Sequence, residues 1–127
     1  MELRGISKTF YKTCTAFGWG CGVAKGRAQN LLRAVDLPPI TNDECNLNYS
    51  AQINLTEAKE FCAGHFREMK GICSGDSGGP LICKDENGYV LAGVISATHS
   101  VEPANYPAIF TRVSYYMDWI NNVIENN

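Results

Sequence analysis

Short apolar runs separated by turn residues make up the hydrophobic pattern of this chain. Runs of this length, bounded by Gly, Pro, Asn and Asp, are typical of the strands of an all-β barrel or sandwich. Between two of the runs, Asp85-Glu-Asn-Gly88 predicts a hairpin turn, because Asn87-Gly88 supplies the positive-φ positions. The runs predict five strands, which are Thr13–Gly18, Leu31–Leu37, Pro80–Lys84, Tyr89–Ser96 and Pro107–Val113.

Two short helices are predicted to interrupt this β pattern. Thr41-Asn-Asp-Glu44 fits a capping box and predicts a helix that continues through Cys45. A second helix is predicted to begin near Ser114, with Asp118 in its first turn. Its apolar residues recur at i, i+3, i+4, i+7 and i+8, and this stripe is expected to pack against the core. The stripe consists of Tyr116, Trp119, Ile120, Val123 and Ile124.

Composition indicates one globular unit over residues 1–127. The chain is 45% apolar and 19% charged, and it shows no internal repeat, low-complexity tract or linker. Its net charge of −2, without a basic run, argues against nucleic-acid binding and electrostatic membrane attachment. No apolar stretch approaches the length of a transmembrane helix.

Cysteines and sequons favour a secreted protein. Six cysteines form an even set that suits a disulfide framework, and Asn48 and Asn54 each begin a glycosylation triplet. The first ten residues lack an apolar h-region and a cleavage site, so they are not a signal peptide. We therefore expect polypeptide N-terminal to this segment to be missing. No Cys-x-x-Cys or paired histidines occur, and neither a metal nor a cofactor is expected.

The segment from residue 73 to residue 80 carries the candidate chemistry, because it reads Cys-Ser-Gly-Asp-Ser-Gly-Gly-Pro. Glycines on both sides of Ser77 allow a tight turn and bring main-chain N–H groups close to a bound carbonyl. An acyl-transfer nucleophile requires this arrangement of a hydroxyl beside oxyanion donors. The alternative is a glycine-rich turn that happens to contain a serine.

That octet is the centre of a longer match that covers about Thr13 to Ile124. In order and spacing, the chain resembles the C-terminal half of a chymotrypsin-like (trypsin-family) serine protease. The resemblance implies an all-β fold: the C-terminal six-stranded antiparallel β-barrel of that family, with a short intermediate helix and a C-terminal α-helix. The other matching segments are Cys14-Thr-Ala-Phe-Gly-Trp-Gly20, Leu37-Pro38, Phe61-Cys-Ala-Gly64, Pro80-Leu-Ile-Cys83, Gly93-Val-Ile-Ser96, Thr111-Arg-Val113 and Trp119-Ile120.

The resemblance also implies roles for individual residues. Ser77 corresponds to the nucleophile, and the N–H groups of Gly75 and Ser77 would form the oxyanion hole. Asp76 corresponds to the carboxylate that receives the freshly cleaved N-terminal amine on zymogen activation. Ser96 matches the serine that buttresses the catalytic aspartate, and residues 96–98 would bind the peptide substrate as an added strand.

The substrate pocket implied by the resemblance is small and apolar, similar to that of elastase. Gly71 takes the position where a trypsin-type enzyme has an aspartate, so cleavage after basic residues is not expected. Side chains at Thr98 and Ala108 would narrow the slot, and Ala97 replaces the usual tryptophan. The alternative is that this site has drifted without selection for a substrate. The implied substrate-binding residues are Gly71, Ile72, Ser74, Ser96, Ala97, Thr98 and Ala108.

The general base of the family is not found in this chain. The catalytic histidine and aspartate of the family belong to the N-terminal barrel, and neither His65 nor His99 matches that histidine. Without a base, the hydroxyl of Ser77 is a poor nucleophile at neutral pH. The isolated chain is therefore expected to be inactive. The partners that the resemblance implies are the N-terminal barrel, peptide or protein substrates, and protein inhibitors.

Six cysteines allow 15 pairings, and the sequence alone does not choose among them. The resemblance implies Cys14–Cys83 and Cys45–Cys62. The usual partner of Cys73 is replaced by Val101, and an extra cysteine follows Gly20. We therefore expect a rewired Cys21–Cys73 bridge.

Two hypotheses for function follow. The first is a serine endopeptidase of the chymotrypsin family, of which this chain is the nucleophile half. The second is a catalytically inactive homologue that acts as a binding or decoy module. Retention of Asp76 and Ser77 favours the first, whereas the absent half, Ala97 and the lost partner of Cys73 favour the second.

Overall fold

Seven antiparallel strands form one sheet in the described part of the chain, which comprises residues 13–19, 30–41, 43–45, 59–64, 76–97 and 106–126 of a computed structural model. Hydrogen-bonded neighbours follow the order β2-β1-β5-β6-β7-β4-β3. The strands are β1 (Thr13–Gly18), β2 (Arg33–Asp36), β3 (Pro39–Ile40), β4 (Glu60–Ala63), β5 (Pro80–Asp85), β6 (Gly88–Ala97) and β7 (Ala108–Arg112).

The two ends of this sheet are consecutive in the chain, so the sheet closes on itself. β2 pairs with β1 and β3 pairs with β4, and only two residues separate β2 from β3. At this junction the N–H of Leu37 donates to the carbonyl oxygen of Cys14 at 2.9 Å. The carbonyl oxygen of the next residue, Pro38, accepts from the N–H of Gly64, also at 2.9 Å. With β2 and β3 taken as one bent strand, the fold is the expected six-stranded antiparallel barrel.

Consecutive prolines suit this change of partner. Proline has no main-chain N–H, so it cannot donate to a strand ladder. Pro38 contributes only its carbonyl oxygen to the junction, and Pro39 opens β3. The chain can thus leave β1 and join β4 without an orphaned donor at either proline.

Helical structure lies at two places. Residues 43–45 form a helical turn, in which the Oγ1 of Thr41 accepts from the N–H of Glu44 at 3.2 Å. This is the capping contact that the sequence predicts. A 3-10 turn at Val113–Tyr116 continues into helix α1 (Met117–Glu125).

Among the described residues, no helix has both the length and the apolar character needed to cross a membrane.

The core of the barrel lies between the inward faces of its strands. Leu81, Val90 and Phe110 are fully buried, and the ring of Phe110 stacks on that of Phe61 with a centroid distance of 5.5 Å. The guanidinium of Arg112 lies over the ring of Phe61, 5.1 Å from its centroid. The aromatic pair joins β4 to β7, where Phe61 and Phe110 are register partners.

Two buried disulfides link the elements. Cys14 and Cys83 are register partners on β1 and β5, and their sulfur atoms are bonded. Cys45 and Cys62 join the helical turn to β4. These are the pairs that the resemblance implies. The expected Cys21–Cys73 bridge lies outside the described residues.

Several expectations from the hydrophobic pattern need correction. The predicted strand at Leu31–Leu37 is shorter, because β2 begins at Arg33 and both leucines before it are exposed. β3 and β4 were not predicted, since strands of two and four residues are too short to show alternation. The expected packing of the C-terminal stripe on the core is wrong, because no residue of α1 is buried and Trp119 is 65% exposed. Periodicity identifies an apolar face but not the surface that covers it.

Candidate functional site

The candidate nucleophile lies on a turn that is bonded to the last part of β6. Ser77 is exposed at this turn, just before β5. The N–H of Gly78 donates to the carbonyl oxygen of Ile95, and the N–H of Ile95 donates to that of Gly79, each at 2.9 Å. A further bond from the N–H of Gly79 to the carbonyl oxygen of Asp76 closes the turn at 3.0 Å. Gly78 has a φ of 84°, a conformation that residues with a side chain rarely adopt.

The side chain of Asp76 packs against β1. A Cβ atom built on Gly18 would overlap Oδ1 of Asp76 and approach its Cγ to 2.7 Å. The absence of a side chain at Gly18 therefore provides the space that the carboxyl group fills. Gly18 is a residue whose role the sequence analysis missed, although it lies in the Gly-Trp-Gly segment that carries part of the resemblance.

The candidate substrate strand is the last part of β6. Ser96 and Ala97 are both exposed, and a bulge interrupts the pairing of β6 with β7 between Ile95 and Ala97. β-Bulges redirect side chains and occur often beside functional sites. The main-chain bonds between Gly78 and Ile95 bring the turn of Ser77 next to this bulge. Ile95 is a second residue that the sequence analysis missed, because it contributes through its main-chain N–H and C=O groups, which every residue type except proline has.

The one described candidate from the pocket wall is Ala108. It is buried at the start of β7, and the neighbouring Ile109 pairs with Ala97. The fold thus brings candidates from the ends of β6 and β7 together with the turn of Ser77. Within the part of the chain that the structure describes, no group of three His, Cys, Asp or Glu side chains could hold a metal ion.

The remaining candidates lie outside the described residues. Their roles remain as the resemblance implies. They are Gly71, Ile72, Ser74, Gly75 and Thr98 of the pocket and oxyanion hole, Cys21 and Cys73, and the sequons at Asn48 and Asn54.

Comparison with known sequences now decides the family. A family model described as "Trypsin" matches residues 7–120. The chain belongs to the trypsin family. It is 35% identical over 116 residues to a trypsin of Xenopus laevis, a match that covers 91% of this chain and 45% of that protein. It is 33% identical over 130 residues to "Protein masquerade" of Drosophila melanogaster, covering 100% of this chain and 12% of that protein.

The chain therefore spans less than half the length of the trypsin-family relatives that it matches. Its membership supports a serine-protease type of domain.

Proposed function

We propose that this chain is the C-terminal, nucleophile-bearing half of a secreted serine endopeptidase of the trypsin family. The Ser77 hydroxyl would attack a peptide carbonyl while its proton passes to a histidine that, with its aspartate, is supplied by the other half of the domain. The C–N bond would then break, the amine would leave with that proton, and water would later hydrolyse the acyl-enzyme. The N–H groups of Gly75 and Ser77 would stabilise the oxyanion. Asp76 would hold the loop in its active form by pairing with a newly formed N-terminal amine.

The observation that carries this proposal is the position of Ser77. The hydroxyl lies exposed on a turn whose main chain is fixed to β6 through Ile95. A peptide that added to the exposed end of β6, at Ser96 and Ala97, would thus pass close to this turn. A fixed nucleophile beside a fixed binding strand is what proximity catalysis requires.

We further propose a preference for small apolar side chains at the residue before the cleaved bond. Gly71 gives the base of the pocket no charge for a lysine or arginine. Thr98 and Ala108 would limit the depth of the slot, and Ala97 would loosen the neighbouring subsite. Of the two residues that would narrow the slot, Ala108 is described, and it is buried at the beginning of β7.

Secretion and glycosylation belong to the same proposal. The two buried disulfides among the described residues suit an oxidising compartment. Asn48 and Asn54 would be the glycosylation sites, and protein inhibitors would compete with substrate for β6.

A non-catalytic binding or decoy module is the second candidate. It is favoured by Ala97, which replaces the usual tryptophan of the substrate strand, and by the lost partner of Cys73. Such a module would keep the barrel and its peptide-binding strand but would not activate Ser77.

A fluorophosphonate probe distinguishes the two candidates, because it labels only an activated serine. The isolated chain should not be labelled, and a mixture with the remaining polypeptide of the Xenopus laevis trypsin should be labelled at Ser77. Ser77→Ala is the control for labelling at other sites. A mixed complex that forms but resists the probe would favour the non-catalytic module. Labelling of the chain alone would show that no second half is needed.

A further inference from the structure

The hairpin that joins β5 to β6 contains the one Asn-Gly pair of the 127-residue sequence. Glu86 and Asn87 form its turn, and Gly88 is the first residue of β6. An asparagine side chain is most open to attack by the next main-chain nitrogen when glycine follows, because glycine has no Cβ atom to hinder the approach. The pair is therefore a candidate for a covalent reaction as well as a turn signal.

Both residues of the pair are accessible to water and to each other. Asn87 is exposed, and its main-chain N–H donates to Oδ1 of Asp85 at 2.7 Å, a bond that does not engage the side-chain amide. Gly88 has a φ of 121°, and a Cβ atom built on it would meet no atom of the described residues within 4 Å. The side chain of Asn87 can thus turn toward the Gly88 nitrogen without displacing a neighbour.

The pair also lies where the sheet is least constrained. Asp85 and Gly88 are the last register partners of β5 and β6, so the nitrogen of Gly88 belongs to the end of a ladder. Ladder ends and hairpin tips open more easily than the middle of a sheet. Attack on Cγ of Asn87 therefore needs only a local movement of the turn.

Another asparagine of the chain has the opposite surroundings. Asn122 lies within α1, and its Oδ1 accepts from Nδ2 of Asn126 at 2.6 Å. The next residue is Val123, whose branched side chain hinders approach to its nitrogen. Asn122 is thus a matched internal reference for Asn87.

We propose that Asn87 is a site of spontaneous deamidation, for which water is the only reagent. The main-chain nitrogen of Gly88 gives its proton to hydroxide and attacks Cγ of Asn87, which closes a succinimide ring. The C–N bond of the side-chain amide breaks, and ammonia leaves after taking a proton from water. Water then opens the ring at either carbonyl, so the product is aspartate or isoaspartate.

The product changes the hairpin in two ways. It places a new negative charge beside Asp85 and Glu86, in a chain whose net charge is already −2. Isoaspartate also inserts a methylene group into the main chain, and so short a hairpin turn accepts few backbone conformations. The change is far from Ser77, because the six residues of β5 span roughly 20 Å at about 3.3 Å per residue. The inference is therefore independent of the proposed function.

The experiment follows the whole folded chain during incubation in buffered water enriched in heavy oxygen. Proteolytic digestion and mass spectrometry locate each asparagine that has lost ammonia and gained the label, and a protein isoaspartate methyltransferase detects isoaspartate. Asn87 should be converted at least about tenfold faster than Asn122, because a ladder end opens more easily than a hydrogen-bonded helix. The rate should rise with pH, since the Gly88 nitrogen must lose its proton before it attacks.

Two variants assign the signal to this turn. Asn87→Gln keeps an amide there but lengthens the side chain, which disfavours ring closure, so methylation should fall to the background level. Freshly prepared Asn87→Asp carries the new charge without the inserted methylene group. It should co-elute from an anion exchanger with one of the acidic products of the native chain.

Four results would overturn the proposal. An Asn87 that stays intact in the folded chain but reacts in urea would show that the turn protects it. Equal rates at Asn87 and Asn122 would mean that the hairpin has no effect. Methylation that persists in Asn87→Gln would place the reaction elsewhere, and a rate independent of pH would exclude attack by the Gly88 nitrogen.

Discussion

The carboxyl group of Asp76 occupies the space that a Cβ atom on Gly18 would fill. This contact ties the end of β1 to the turn of Ser77, on the side opposite to the bonds with Ile95. The candidate nucleophile is therefore held between two strands, by main-chain bonds on one and by close packing on the other. A change at Gly18 should reach Ser77 through Asp76, although Gly18 carries no reactive group.

Gly18→Ala should lower the free energy of unfolding by about 1–3 kcal/mol, the usual cost of overpacking. Urea denaturation followed by circular dichroism would measure it. The matched control is the same substitution in an Asp76→Ala background, where the carboxyl group that the new methyl would meet is gone. The cost should fall there by at least half. Equal costs in both backgrounds would mean that Gly18 and Asp76 do not compete for space.

The two described disulfides should contribute unequally to stability. The Cys14–Cys83 bridge closes a segment with a sequence separation of 69, against 17 for Cys45–Cys62. Loop-closure entropy then predicts losses of about 4 and about 3 kcal/mol when each pair is replaced by alanine. All four cysteines are buried, so replacing either pair should cost a similar amount of packing. The difference in stability between the two double variants then measures the effect of loop length. Urea midpoints of the two double variants would measure this order, and a reversed order would reject the entropic explanation.

Phe110 is the largest fully buried side chain among the described residues, and it stacks on Phe61. Phe110→Ala should destabilise the barrel by about 3–5 kcal/mol, through lost burial and the cavity left behind. Thermal and urea unfolding would both register the loss. Phe110→Leu retains most of the volume and should cost less than half as much. If the two variants lost equal stability, the cavity would not be the cause.

Trp119 should contribute little to the stability of the isolated chain, in spite of its place on the apolar stripe. It is 65% exposed on α1, a helix without a buried residue. Trp119→Gln should therefore change the free energy of unfolding by no more than about 0.5 kcal/mol. Chemical denaturation of Trp119→Gln and Phe110→Ala under the same conditions would compare their losses in free energy of unfolding. A loss above about 1.5 kcal/mol would restore the original expectation that the stripe packs on the core.

The sequence could predict the strands that show a clear hydrophobic pattern and the hairpin whose two strands are adjacent in the chain. β1 begins and ends as predicted, and the Asn87-Gly88 hairpin joins two neighbouring strands, β5 and β6. β4 has only four residues and is buried at three of them, so it shows no alternation to detect. Its existence depends on Phe61 facing Phe110, which is distant in the chain.

The candidate site divides in the same way. Ser77 and Asp76 could be identified because reactive side chains and glycines lie together in one octet. Gly18 and Ile95 could not, since one contributes an empty space and the other contributes main-chain bonds. A glycine in the sequence does not show which side chain uses the space that it leaves, and a main-chain bond depends on no particular side chain. Only the three-dimensional approach of β1 and β6 to the turn makes these two residues part of the site.

The segment that contains Leu37 and Pro38 also bears on aggregation of the chain while it folds, because it joins the two strands that cover the edges of β1 and β4. If β2 and β3, which this segment joins, were not in place, β1 and β4 would be edge strands with open rows of N–H and C=O groups. Open strand edges are templates on which another chain can add, and they are a common route to aggregation. Resistance to aggregation during refolding thus depends on a short proline-containing stretch that takes no part in the proposed chemistry.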